Sequence, residues 1–187
     1  MKIKLIAFVF MISMSVMAQK GKFSAALSYP LPFGDTYFKE NYTGNIDVGA
    51  QYRFANSEFL NFGVSANASF YAFENENFTT QPDINARFVQ PRLFGELHVG
   101  RLRVQVGGGY SFATFSTENA LEPGRTEKVK DNTNGPNINA AVSIDIVKGL
   151  FVVAQYDYIK ISAFGSLEDI DFNRQVNLFK VGLGYRL

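Results

Sequence analysis

Eight separate segments of the sequence alternate between apolar side chains and polar or small ones. A repeat of two residues is the pattern of a β-strand with two different faces, and no sustained 3.6-residue repeat indicates a helix. Each segment is about ten residues long, which is the length of a tilted strand that crosses a bilayer. The pattern therefore predicts an all-β chain. The segments are 22–29, 45–54, 60–71, 89–99, 102–112, 138–146, 150–158 and 179–187.

The links between the segments are short and long in turn. An even number of strands with this asymmetry is typical of a closed antiparallel eight-stranded transmembrane barrel, with short periplasmic turns and long extracellular loops. The third long link contains Pro123-Gly124 and Asn134-Gly135-Pro136, and we expect it to be a mobile loop. The short links are Ala55–Glu58, Gly100–Arg101 and Lys148–Gly149, and the long ones are Pro30–Asn41, Glu74–Asp83, Ser116–Pro136 and Ser162–Gln175.

Alternation alone does not say which face of the strands points outward. A soluble lipocalin-like periplasmic carrier would turn its apolar face inward around a ligand. Here the other face is rich in glycine and serine, which suits the narrow interior of eight strands. Aromatic side chains on the apolar face also cluster near strand ends, as in the girdles of membrane barrels. We therefore expect the apolar face to contact lipid. The aromatic set is Tyr29, Tyr52, Phe54, Phe70, Tyr110, Phe112, Tyr156, Tyr158 and Tyr185.

The first eighteen residues have the pattern of a cleaved secretory signal peptide. Lys2 and Lys4 precede an apolar run from Leu5 to Met17, and Val16 and Ala18 are small residues at the −3 and −1 positions. This run is shorter than the roughly 20 residues of a membrane-spanning helix. The sequence therefore predicts a signal peptide over residues 1–18 and one barrel domain over residues 19–187.

The chain combines a predicted signal peptide, eight strands, alternating links and the ending Phe179–Leu187. In these features it resembles the small outer membrane barrels of the OmpA/OmpX-like type. These form an outer membrane protein beta-barrel domain family with porin-like architecture. The resemblance covers essentially the whole mature chain. It implies a location in the outer membrane of a Gram-negative cell and contact with outer membrane lipids and lipopolysaccharide. It also implies that the barrel-assembly machinery recognises the final strand. Tyr185 fits that signal, whereas Leu187 stands where such families usually end in an aromatic residue.

Charged residues recur on the face that we expect to line the lumen. Buried charges persist when they are paired and hydrogen-bonded. Strand heights suggest Asp157 with Lys180, and Glu96 with Arg103 or Arg53. The network is interpreted as a plug that holds the barrel together, and the alternative is a selectivity ring in a narrow pore. The predicted lumen charge network is Asp47, Arg53, Arg92, Glu96, His98, Arg103, Asp145, Asp157, Lys180 and Arg186.

His98 is the only histidine, and the alternative of a lipid A-modifying enzyme depends on it as the candidate catalytic residue. Such an enzyme needs reacting groups within hydrogen-bond reach of one another at the outer leaflet. His98 instead lies two residues before the turn at Gly100, at the periplasmic end. We therefore expect a lumen histidine that pairs with Glu96 or Asp145, and no catalytic site.

Composition excludes several other functions. The absence of cysteine excludes disulfides, thiolate metal sites and a lipidated N-terminus, and a net charge of +1 lacks the basic bias of nucleic-acid binders. We expect no cofactor and no metal site. The long links carry twelve acids and five bases, which favours a structural or surface-interaction role through acidic extracellular loops. The acids are Asp35, Glu40, Glu74, Glu76, Asp83, Glu118, Glu122, Glu127, Asp131, Glu168, Asp169 and Asp171. No loop sequence identifies an extracellular ligand.

Overall fold

The computed structural model describes residues 21–74, 84–122, 125–162 and 168–187, with the backbone alone for 117–122 and 125–128. The predicted signal peptide lies outside these residues and stays a prediction. The elements are β1 (Phe23–Pro32), α1 (Tyr37–Asn41), β2 (Tyr42–Asn56), β3 (Leu60–Phe73), β4 (Ile84–Val99), β5 (Leu102–Glu122), β6 (Arg125–Val147), β7 (Leu150–Lys160), α2 (Asp171–Arg174) and β8 (Gln175–Arg186).

The eight strands form one closed antiparallel barrel in sequence order. β1 closes the barrel by pairing with β8, in a register that sets Leu27 opposite Leu183. The backbone of Leu187 bonds to Gly21 and Phe23, so the described chain begins and ends at one rim of the barrel. Closure gives every strand two neighbours, which satisfies the backbone groups that a lipid environment would leave without partners. The predicted fold class is confirmed.

A belt of large apolar side chains covers the outer wall. Val104, Val142 and Leu183 expose 40%, 43% and 54% of their surface, whereas Asp157 and Lys180 are almost completely buried inside. Soluble monomers rarely expose a continuous apolar area of this kind. The belt is therefore the lipid-facing surface, and the predicted orientation of the two strand faces is confirmed.

The barrel has two different ends. The turn end holds the β2–β3, β4–β5 and β6–β7 connections together with Gly21 and Leu187, and the loop end holds the other four links. Gly100 and Gly149 adopt φ values of 61° and 83° in the tight turns, a conformation that favours glycine. The first short turn occupies residues 57–59 rather than 55–58, because β2 continues to Asn56.

The prediction that Ser116–Pro136 is a loop is wrong. β5 and β6 continue as a paired hairpin up to Glu122 and Arg125, and only Pro123-Gly124 at its tip lies outside the described residues. The physical reason is that the two strands pair residue by residue through this polar segment, which satisfies the backbone hydrogen bonds of both. Gly135, predicted to be in the loop, lies inside β6, where a Cβ would collide with the Lys160 carbonyl.

Two other long links contain a short helix each. The link after β1 begins at Phe33, because β1 runs to Pro32, and it ends with α1. The link after β7 contains α2, and the described part of the link after β3 is Glu74 alone. Within the described segments, neither helix has the length and apolar character needed to cross a membrane.

Candidate functional site: the barrel lumen

The centre of the lumen holds four charged side chains from four strands. Lys180 Nζ lies 2.7 Å from Asp47 Oδ2 and 2.9 Å from Asp157 Oδ2. Arg92 Nη2 lies 3.0 Å from the same Asp157 oxygen. This mid-lumen cluster (Asp47, Arg92, Asp157 and Lys180) carries two positive and two negative charges. The pairing of Asp157 with Lys180 agrees with their predicted heights on neighbouring strands.

Neutral polar side chains surround the mid-lumen cluster. Asn67 donates to Asp47 at 2.8 Å, and Lys180 donates to Ser69 and Gln90 at 3.0 and 3.2 Å. Arg92 donates through Nε to Asn137 Oδ1 at 2.6 Å. Charges that are removed from water are stable when they are both paired and hydrogen-bonded. The cluster therefore connects strands β2, β4, β7 and β8 across the lumen.

A second cluster lies nearer the turn end. Arg53 binds both oxygens of Glu96, at 2.9 and 2.7 Å, in a bidentate contact. Arg103 lies 3.0 Å from Glu96 and 3.5 Å from Asp145, and Arg186 also binds Asp145. This mouth cluster (Arg53, Glu96, Arg103, Asp145 and Arg186) has one positive charge in excess. Glu96 contacts both of the arginines that its height on the strand allowed.

Glycine provides the space for large side chains in the mouth cluster. Arg53 Cζ lies 5.8 Å from the centre of the Phe94 ring, and Arg186 Cζ lies 3.9 Å from that of Phe151. A Cβ on Gly63 would approach the Phe94 ring to 2.5 Å, and one on Gly184 would overlap the Phe151 ring. Glycine at these two positions therefore makes room for an aromatic ring that in turn supports a guanidinium.

His98 does not join either cluster. Its Nε2 lies 2.7 Å from the carbonyl oxygen of Gly100, in the turn that follows β4. The prediction of a Glu96 or Asp145 partner for this ring is wrong. The physical reason is that His98 stands at the last step before the turn, where the exposed Gly100 carbonyl is closer than the carboxylates deeper in the lumen. Among the described residues, no group of three or more His, Asp or Glu side chains is arranged to hold a metal ion.

The loop-end half of the lumen is filled by apolar side chains. Phe38 of α1 points into the barrel and is only 3% exposed. Its ring lies 4.7 Å from that of Tyr42, 4.9 Å from that of Tyr71 and 5.3 Å from that of Phe88, measured between centroids. We call this set the aromatic cap. It comprises Phe38, Tyr42, Tyr71, Ala86, Phe88, Ala113, Phe115, Ile159, Ile161, Val176 and Leu178.

Local hydrogen bonds position α1 over the lumen. Thr36 caps the helix by accepting a hydrogen bond from the Lys39 backbone at 3.2 Å. Asn41 Nδ2 donates to the Tyr37 carbonyl at 2.8 Å, and both Thr36 and Asn41 are buried. A five-residue helix is too short to be stable by itself. The aromatic packing of Phe38 and these two contacts hold α1 in place.

Sequence reasoning found the charged part of the lumen and missed the aromatic cap. The signal was present, because Phe88 and Phe115 lie on the same inward face as the charged residues of their strands, and Tyr71 shares the inward face of β3 with Ser69. Leu178 likewise shares its face with Lys180. An inward face that changes from polar to apolar along the strand predicts two layers inside the barrel.

A family model described as an outer membrane protein beta-barrel domain matches residues 5–186. No curated protein sequence matches the chain. Among solved structures, neisserial surface protein A (NspA) is similar at 11% identity and a TM-score of 0.57, covering 88% of this chain and 96% of the other.

Ail, the attachment invasion locus protein of Yersinia pestis, gives a second structural match. In its complex with the heparin analogue sucrose octasulfate it is 15% identical, with a TM-score of 0.57, covering 89% of this chain and 97% of the other. At these identities the likeness concerns the fold. Both neighbours match along nearly their full length.

Proposed function

The chain belongs to the outer membrane protein beta-barrel domain family, and from this membership we propose that it is a closed, non-enzymatic barrel that acts through the surface at its loop end. It lies in the bacterial outer membrane. The loop end would face the cell exterior, and the turn end the periplasm. The proposed role is structural or interactive, and rests chiefly on how the lumen is filled.

The filled lumen is the observation that carries this proposal. From the turn end upward, the mouth cluster, the mid-lumen cluster and the aromatic cap follow one another. Lys180 is 1% exposed and Phe88 is fully buried, which supports a lumen that side chains fill at both layers. Eight strands leave an interior just wide enough for side chains to fill. A narrow pore is therefore disfavoured.

The position of His98 disfavours the lipid A-modifying enzyme. Its ring is at the turn end, far from the leaflet in which lipid A lies, and it contacts a backbone carbonyl rather than a nucleophile or carboxylate. General acid–base work needs a partner within hydrogen-bond reach of the reacting group. The geometry therefore supports a barrel without catalytic function.

The loop end offers the features that surface contact requires. The β5–β6 hairpin continues past Thr117 and Val129, where neither β4 nor β7 pairs with it. Exposed carboxylates surround this end, including Asp35, Glu40 and Glu74. Ail is an attachment protein solved with a polyanion, which supports a surface role on this fold, but the acidic balance here favours a cationic partner. Outer membrane lipids, lipopolysaccharide and the barrel-assembly machinery complete the proposed partners.

We expect the purified barrel to give no stepwise conductance in planar bilayers, because three layers of side chains fill its lumen. Overexpression should also leave the mass spectrum of cellular lipid A unchanged. A stable open channel would contradict the filled lumen and favour the pore. A new lipid A species, absent from cells that express a His98→Ala variant, would favour the enzyme instead.

The loop-end carboxylates should bind a cationic probe. We expect phosphatidylcholine vesicles that carry the folded barrel to bind a fluorescent hexalysine peptide. Replacing Asp35, Glu40 and Glu74 together by their amides should weaken this binding by roughly threefold or more, because each exposed charge pair contributes a few tenths to 1 kcal/mol. Lys39→Gln removes a cation from the same end and should not weaken it. If the triple variant binds the peptide as tightly as the wild type does, Asp35, Glu40 and Glu74 have no role in binding.

A further inference from the structure

A polar pocket of about 640 Å³ lies on the outer wall of the barrel near the loop end. It spans β2 to β6, and its lining includes two cations, Arg87 and Lys130. No carboxylate belongs to the described lining. Its lining also includes Tyr71 and Ala86 of the aromatic cap, but its charged residues are cations, whereas Asp35, Glu40 and Glu74 at the loop end are acids. Its other polar lining residues used below are Asn85, Thr114, Ser116 and Asn132.

Strand register places the pocket directly above the lipid-facing belt. Val89 pairs with Phe112, and both expose about half of their surface to the lipid side. One step nearer the loop end, on the same outward face, Arg87 pairs with Thr114. One step further, Asn85 pairs with Ser116, which pairs with Lys130. The wall thus changes from apolar to cationic within two steps, about 7 Å each along a strand.

Neighbouring side chains hold the pocket in shape. Arg87 Cζ lies 5.2 Å from the centre of the Phe70 ring, so the guanidinium rests on an aromatic face at the upper edge of the belt. Thr114 donates a hydrogen bond to Asn132 Oδ1 at 2.9 Å. Lys130 lies on β6 beyond its last pairing with β7, at Asn137–Ile159.

We propose that this wall pocket binds a phosphate group of lipid A in the outer leaflet. Two cations with hydroxyl and amide groups between them match the charge and hydrogen-bonding capacity of a phosphate. A ligand that reaches the wall just above the acyl chains is a headgroup of the surrounding lipid. The outer-leaflet assignment rests on the proposed orientation of the barrel, whereas binding of the phosphate by Arg87 and Lys130 does not.

The test is native mass spectrometry of the folded barrel in detergent with bisphosphorylated lipid A. We expect one lipid A adduct on the wild type. In the double variant Arg87→Gln with Lys130→Gln, its affinity should fall roughly tenfold or more, because both cations that bind the phosphate are lost. Arg101→Gln with Lys148→Gln removes two exposed cations from the turn end and should retain the adduct. Resistance of all forms to detergent before heating shows that they are folded.

Three further measurements separate the possible sources of the binding. Dephosphorylated lipid A should bind the wild type weakly. Its affinity should be no higher than the affinity of bisphosphorylated lipid A for the double variant. EDTA should leave the wild-type adduct intact, because the cations contact phosphate directly, and loss of the adduct in EDTA would overturn the proposal in favour of divalent bridges. Equal affinity of the wild type and the double variant would overturn it, as would displacement of the lipid by millimolar inorganic phosphate. A conducting channel would refute the proposed function but not this site.

Discussion

Replacing Lys180 by methionine should destabilise the folded barrel by about 3–5 kcal/mol, which is the usual effect of removing one partner of a buried ion pair. Methionine has a similar length and no charge. In the variant Asp157 keeps Arg92 at 3.0 Å, but Asp47 keeps only the neutral donors Asn67 and Ser69. The barrel loses stability because the Asp47 carboxylate is then buried without a cationic partner. Urea unfolding in lipid vesicles, followed by circular dichroism, measures it.

Two further variants make the Lys180 result specific. Asp47→Asn in the Lys180→Met background removes the isolated charge, and we expect it to recover more than half of the lost free energy of unfolding. Lys160→Met is the matched control, because Lys160 pairs with Asp171 where both side chains are well exposed to solvent. It should leave the midpoint of unfolding close to that of the wild type. A wild-type midpoint for Lys180→Met would show that the mid-lumen cluster does not stabilise the barrel.

Replacing Phe38 by alanine should cost about 3–5 kcal/mol of the free energy of unfolding, the range observed for buried phenylalanines. Phe38 contacts the rings of Tyr42, Tyr71 and Phe88, so its removal leaves a cavity at the centre of the aromatic cap. Its packing also holds α1 in place. We therefore expect the α1 amides to lose hydrogen-exchange protection in the same variant.

Phe59→Ala is the control for the aromatic cap. Phe59 lies in the β2–β3 turn with 61% of its surface exposed, and its truncation should change stability by less than about 1 kcal/mol. The Phe38→Ala barrel should remain non-conducting, since both charged clusters stay below the cavity. Unaltered α1 protection together with unaltered stability would show that α1 does not depend on its contact with the lumen.

The strands and the direction of their faces were predictable from the sequence, because a period of two is a local signal. Parity placed Leu183 and Lys180 on opposite faces. The small residues of one face and the aromatic residues near the strand ends of the other then assigned these two residues correctly to the lipid and lumen sides, respectively. The β5–β6 hairpin was missed because Gly135 and Pro136 are turn formers in most contexts, whereas here Gly135 fits against the Lys160 carbonyl of a neighbouring strand. That contact depends on tertiary structure and has no local signal.

The composition of the lumen was only half predictable for a related reason. Charged residues on an inward face are conspicuous, and their opposite signs allowed Asp157 and Lys180 to be paired by height. The partner of His98 depended on the course of the turn at Gly100, which alternation does not determine. The aromatic cap required Phe38, which lies in a link between strands, to be recognised as part of the interior. A five-residue helix leaves too short a pattern for that.

The position of Lys180 on the last strand has a consequence for how the barrel can assemble. Until β8 docks, the Asp47 carboxylate has no cationic partner among the mid-lumen residues that the earlier strands supply. A shift of β8 by two residues would keep its apolar face toward the lipid. It would, however, place Leu178 or Gly182 at the position of the Lys180 ammonium group. The mismatch in charge would penalise an arrangement that hydrophobicity alone accepts. Lys180 thus favours the alignment of the final strand in which the charges of the mid-lumen cluster balance.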